Sequence, residues 1–124
     1  MSFNLPDINI YKTRIDIIKD VARQIEKDLN VDIPLKLSGN PNEAYQELYD
    51  QTFPRIKETA NRALFSFKQL LYKIDVSEKK LTDAFRENIE MDEFKIYTHL
   101  IIERELQKVA TRLLFKSTID KWGY

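Results

Sequence analysis

Apolar residues recur at alternating steps of three and four along the first quarter of the chain. Because an α-helix has 3.6 residues per turn, such spacing gathers the side chains on one helix face. We therefore predict a first helix from about Asp7, as its N-cap, to Leu29, with Asn30 and Pro34 closing its other end. The residues of this face are Ile8, Tyr11, Ile15, Ile18, Ala22, Ile25 and Leu29.

Glycine and cysteine are nearly missing from the composition. Gly39 and Gly123 are the two glycines among 124 residues, and there is no cysteine. Nucleotide-binding loops and nucleophile elbows need glycines at tight turns, and thiolate nucleophiles, disulfides and cysteine metal sites need cysteine. We therefore predict a protein that is not an enzyme, with no catalytic residues, no cofactor and no metal.

The composition is typical of a folded protein, and its balanced charge gives no long-range electrostatic field. Twenty basic residues balance twenty acidic ones, and 43% of residues are hydrophobic. Residues 1–14 lack the apolar core of a signal peptide, and no segment approaches the roughly 20 apolar residues of a membrane span. We expect a soluble, cytoplasmic protein that does not contact membranes and folds as one helical domain over residues 1–124.

The segment 30–41 has a different pattern. Val31, Ile33, Leu35 and Leu37 alternate with polar residues, as in a strand, but Pro34 interrupts the series. We interpret it as an extended connector with one apolar edge laid on the helices. Pairing with the same segment of a second subunit is the alternative.

The remaining sequence predicts further helices. Asn40, Pro41 and Glu43 resemble a helix start, and Pro54 is expected to bend or break that second helix so that Thr52 caps a new segment. The fold class predicted is all-α: a single-domain bundle of four to five helices with one extended connector at about 30–40.

Two later boundaries depend on capping residues. Asp75 or Ser77 can cap a helix whose apolar face begins at Leu81. Asp92 can cap a final helix that runs to about Ser117, or the preceding helix can continue without interruption through residues 90–93. We favour a break near Met91.

Residues 94–102 are apolar on nearly every side of the predicted last helix. A surface helix needs only one apolar stripe, so this stretch either lies at the centre of the bundle or covers a protein partner. We choose the interface as the hypothesis to test. Its residues are Phe94, Ile96, Tyr97, Leu100 and Ile101.

A row of cations follows on the same helix. Arg104, Lys108, Arg112 and Lys116 recur every fourth residue and form a candidate anion-binding ridge. The alternative is a solvated face that complements the helix dipole, in which Glu105 pairs with Lys108.

His99, the one histidine, precedes Glu103 by four residues, so both lie on one helix face. A metal would need further ligands. We expect His99 at the edge of the core with Glu103 as its hydrogen-bond or charge partner.

By elimination, these features favour a small intracellular module that binds protein, either as an oligomeric accessory subunit or through a larger partner. The alternative is an accessory protein that binds nucleic acid or another polyanion through the basic helix face. An enzyme that uses carboxylates or a metal is the third possibility.

Overall fold

The computed structural model describes residues 8–31 and 34–121, except for the side chains of residues 8, 9, 64, 65 and 117–121. Within these residues the fold is all-helical, without strands, and contains five α-helices; this confirms the predicted bundle. A 3-10 helix, Ile8–Tyr11, comes first. The α-helices are α1 (Ile15–Leu29), α2 (Ala44–Arg62), α3 (Leu64–Ile74), α4 (Glu78–Glu87) and α5 (Glu93–Lys121).

The core has two clusters, and α5 contributes to both of them. The first joins α1, the connector and the start of α2 to Ile102, Leu106 and Val109 of α5. The second joins α2 and α3 to Ile101 of α5. Burial of each large aliphatic side chain contributes roughly 1.5–3 kcal/mol. The longest helix therefore holds the bundle together along its first half.

The first helix begins later than the periodicity predicts. The helical pattern is interrupted at Arg14, whose backbone is extended, and α1 starts at Ile15. The spacing predicted too early a start for the helix because Tyr11, in the preceding 3-10 helix, packs against the same cluster as Ile15. The proposed N-cap Asp7 lies outside the described residues.

The connector lies on the bundle as an extended arm. Leu35 is buried and Leu37 packs against the first cluster, whereas Ile33 lies outside the described residues. The side chain of Gln51 accepts a hydrogen bond from the Lys36 amide at 2.8 Å and donates one to the Lys36 carbonyl at 2.6 Å. Side chains of the helices thus satisfy backbone groups that a strand partner would otherwise bind.

The prediction that Pro54 breaks the second helix is wrong. Proline leaves the carbonyl four residues earlier, that of Asp50, without its amide donor, but Asp50 and Pro54 are both exposed and water can satisfy that carbonyl. Thr52 is fully buried inside α2 and caps nothing. The helix ends instead at Arg62, where Ala63 turns to an extended backbone.

The predicted caps at the later boundaries are confirmed. The hydroxyl of Ser77 accepts from the Lys80 amide at 3.4 Å, and the carboxylate of Asp92 accepts from the Phe94 amide at 2.7 Å. The chain leaves the helical state between α4 and α5, as the favoured break near Met91 predicts. The last helix extends past Ser117, to Lys121.

Candidate binding surface

The structure divides the predicted interface residues between the interior and the surface. Ile96 and Ile101 are 3% and 0% exposed, so neighbouring side chains of the same chain account for their apolar character. They are therefore removed from the candidate surface and assigned to the interior. Phe94, Tyr97 and Leu100 are half-buried.

An aromatic cluster explains why this stretch needs so many apolar residues. The ring of Tyr97 meets Phe67 of α3 and Phe85 of α4 edge to face, at centroid distances of 4.8 Å and 5.3 Å. Each such pair adds roughly 0.5–1.5 kcal/mol beyond the burial of its surface. The first half of α5 is thus surrounded by helices of its own chain.

The predicted basic ridge is not one open surface. Arg104 donates to the Asp75 carbonyl and lies 3.1 Å from its carboxylate, and Lys108 lies 3.2 Å from Glu105, which confirms the expected Glu105–Lys108 pair. These two cations serve contacts between and along helices. Arg112 is exposed and donates weakly to Gln24 at 3.4 Å, and Lys116 is exposed.

Sequence reasoning missed a buried carboxyl cluster. Glu105 is fully buried, although we expected it on a solvated face. It lies near Asp28 of α1, whose side chain is 6% exposed and 3.7 Å from the ammonium group of Lys73. The sequence signal was present, because Glu105 falls four residues after Ile101 and three after Ile102, on the buried side of the helix.

The surroundings of Glu105 favour the protonated form of its carboxyl group. Burial and the neighbouring Asp28 raise the pKa of Glu105 to about 7, against the opposing effect of Lys108. One carboxyl oxygen of Glu105, Oε2, is buried without a hydrogen-bond partner. A proton on Glu105 would let that oxygen donate to Asp28. The pair sits inside the bundle.

His99 lies at the edge of the core, as expected. Its Nδ1 is 3.4 Å from the hydroxyl of Tyr45, and its ring centroid is 4.5 Å from that of Tyr49. Burial lowers the pKa of His99, while the charge of Glu103 acts in the opposite direction. The hydrogen-bond partner is therefore Tyr45, and Glu103 acts as a charge.

The α4–α5 cleft beside His99 has a volume of about 360 Å³, and Asp83, Glu87 and Glu103 also line it. Across residues 8–31 and 34–121, no three potential metal ligands come together. The paired His99 and Glu103 therefore gain no further ligand from the described part of the chain.

Exposed apolar residues lie further along α5. Leu113, Leu114 and Phe115 are 41%, 44% and 64% exposed. Because successive helical residues point about 100° apart, these side chains cover more than half of the helix circumference. Just before them, Val109 and Ala110 are 2% and 1% exposed, so the change from interior to surface is abrupt.

Cations lie beside Leu113. A groove of about 380 Å³ between α1 and α5 is lined by Arg23, Lys27, Arg112 and Leu113, together with Asp20, which pairs with Arg23 at 3.5 Å. We call this surface the basic end. It comprises Arg23 and Lys27 of α1 and Arg112, Leu113, Phe115 and Lys116 of α5.

A second exposed apolar surface has the opposite charge. Ile89 and Met91, in the connection between α4 and α5, are 83% and 42% exposed beside a concavity of about 610 Å³. We call this surface the acidic end. It comprises Glu87, Ile89, Glu90, Met91 and Asp92, and Lys95 is a cation in the lining of the same concavity.

Comparison with family models, curated proteins and solved structures finds no match to this chain. Among the described residues, no helix combines the length and the apolar character required to cross a lipid bilayer.

Proposed function

We propose that this protein is a non-catalytic, cytoplasmic helical module that acts by binding protein, as a self-associating subunit or as the accessory of a partner. The observation that carries the proposal is the exposure of Leu113 and Phe115 at the basic end. They point in nearly opposite directions from α5, so covering both requires contacts on two sides of the helix.

The cost of this exposure supports a binding role. Single exposed apolar residues are common on protein surfaces, but apolar side chains on several sides of one helical turn are typical of helices that are covered. A protein partner that buries them removes apolar surface from water at roughly 25 cal/mol per Å². The exposed cations beside them can provide polar contacts in such an interface.

A polyanion is the second candidate, because Arg23, Lys27, Arg112 and Lys116 are all exposed at one end of the molecule. Two observations favour protein instead. Arg104 and Lys108 pair within the chain, so two of the four cations of the predicted ridge are already occupied. The remaining cations lie beside exposed apolar residues that a phosphate backbone does not need.

The test is capture of binding partners from a native extract, with nuclease treatment, using the unchanged chain and a Phe115→Asp variant. Tyr72→Asp is the matched control, because Tyr72 is an aromatic residue of α3 that is 88% exposed. We expect a nuclease-resistant protein at stoichiometric amounts, lost with Phe115→Asp and kept with Tyr72→Asp. Circular dichroism of both variants is the check that they retain their helix content.

Two results would overturn the proposal. One is capture that Phe115→Asp does not reduce, and the other is capture of material that nuclease removes. The second result would favour the polyanion hypothesis, in which binding falls steeply with salt concentration and depends on Arg112 and Lys116.

A further inference from the structure

The acidic end and the basic end are complementary surfaces of one chain. Each exposes apolar residues next to charged ones, Ile89 and Met91 in one and Leu113 and Phe115 in the other. The charges are predominantly acidic at the first and basic at the second, and the exposed cations of the second are Arg23, Lys27, Arg112 and Lys116. We propose that the acidic end of one copy of this chain binds the basic end of a second copy, so that the protein associates head to tail. This inference rests on the proposed function and names its partner.

The charges favour this pairing over the symmetric ones. Contact between two basic ends would bring Arg112 and Lys116 against the same residues of the second copy, and contact between two acidic ends would do the same with Glu87 and Glu90. Like charges brought together at an interface cost free energy, whereas opposite patches attract and orient the partners. The chain as a whole has equal numbers of acidic and basic residues, so no net repulsion opposes association.

The helix dipole explains only part of this arrangement. Acidic residues at the first turn of α5 and cations toward its last turns are each favourable to the helix by a few tenths of a kcal/mol. The dipole gives no reason for Ile89, Met91, Leu113 and Phe115 to be exposed beside those charges. A surface on which exposed apolar side chains lie beside charges is instead the composition of an interface.

The position of the two ends sets the geometry of assembly. Asp92 caps the start of α5 and Leu113 lies 21 residues later, which is about 30 Å along the helix at 1.5 Å per residue. Contacts between different surfaces of identical chains are heterologous, and every pair that forms leaves one acidic end and one basic end open. The association therefore continues into a ring, if the rotation closes, or into a filament.

The test is sedimentation velocity of the full chain from about 1 to 200 µM, at low and high salt. A double variant, Glu87→Lys with Glu90→Lys, reverses the acidic end, and Arg112→Glu with Lys116→Glu reverses the basic end. We expect concentration-dependent association of the unchanged chain, weakened at least tenfold in either variant. Glu58→Lys with Lys68→Glu, at exposed sites on α2 and α3, is the control and is expected to behave as the unchanged chain.

Two combinations separate head-to-tail contact from other modes. An equimolar mixture of Ile89→Ser and Phe115→Ser chains is expected to form a heterodimer and no larger species. The Ile89→Ser chain retains only its basic end, and the Phe115→Ser chain retains only its acidic end. Joining both charge reversals in a single chain restores complementarity, and with it self-association. Circular dichroism verifies that each variant is folded.

The proposal is overturned if the unchanged chain stays monomeric over this range, or if reversal of the acidic end leaves its association unchanged. Either result can occur while Phe115→Asp still abolishes capture of a different protein. In that case the proposed function stands and only the identity of the partner is wrong.

Discussion

The first half of α5 and its later turns are both rich in apolar residues, yet they have opposite surroundings. Ile101 and Leu106 are buried by α1, α2 and α3, and Ile96 is buried as well, whereas Leu113 and Phe115 remain exposed. The apolar pattern alone allowed either an interior position or an interface for the first half, and we chose the interface as the hypothesis. The burial of a helical residue therefore depends on which other helices pack against it. The spacing of apolar residues along its own helix does not identify those neighbouring helices.

The largest effect is expected from a charge in the first half of α5. Ile101→Asp places a carboxylate at a fully buried site without a partner, which should cost more than about 4 kcal/mol and unfold the protein. Thermal unfolding followed by circular dichroism measures this. A cooperative transition close to that of the unchanged chain would break the comparison, because Ile101 would then have access to water.

The next effect is a dependence of stability on pH from Glu105. Its pKa is about 7 in the folded chain against 4.5 ordinarily, so between these values the folded state binds more protons than the unfolded state. The free energy of unfolding therefore falls as pH rises from about 4.5 to 7, by up to about 3 kcal/mol at roughly 1.4 kcal/mol per pKa unit.

Denaturant unfolding of Glu105→Gln at pH 4.5 and pH 8 tests this effect. Glutamine keeps an acceptor for Lys108 and gains a donor toward Asp28 without ionising, so the variant should gain stability relative to the unchanged chain at the higher pH. Glu58→Gln, at an exposed site, is the control. Parallel pH profiles for Glu105→Gln and the unchanged chain would contradict the raised pKa of Glu105.

A smaller effect is expected at the aromatic cluster. Tyr97→Leu keeps an apolar side chain but removes the edge-to-face contacts with Phe67 and Phe85, which should cost about 1–2 kcal/mol. Chemical denaturation of the variant measures the loss. A change below about 0.3 kcal/mol would mean that the rings contribute nothing beyond filling space.

The smallest effect on folding is expected at the basic end. Phe115→Ser removes an exposed ring and should change the free energy of unfolding by less than about 0.5 kcal/mol under conditions where the chain is monomeric. Urea unfolding at low protein concentration provides the value. A loss above about 2 kcal/mol would show that Phe115 belongs to the core, and the contrast between the two parts of α5 would disappear.

Much of the fold could be predicted because its causes are local. The caps Ser77 and Asp92 act on amides two or three residues away, and the apolar face of α1 is a property of one helix. The wrong predictions concern residues whose neighbours in space are distant in sequence. Pro54 is tolerated because its side of α2 faces solvent, and Glu105 is buried because α1 brings Asp28 against it.

The candidate surface was less predictable for the same reason. Arg112 and Lys116 could be singled out from their spacing, but the roles of Arg104 and Lys108 depend on Asp75 and on a buried carboxyl group. No repeat or motif connects residues 87–92 with Leu113 and Phe115. Their exposure became visible only once the packing of α5 against the other helices was known.

The two hydrogen bonds between the Gln51 side chain and the Lys36 backbone also help to fix the register of the connector. Both backbone groups of Lys36 are held by one side chain, and its neighbours Leu35 and Leu37 point toward the first core cluster. In an extended segment a slip of one residue turns every side chain to the opposite side. Together with Glu26, which accepts from the Leu35 amide, and Glu47, which accepts from the Ser38 amide, Gln51 therefore fixes which residues of this arm face the helices, as a neighbouring strand does in a sheet.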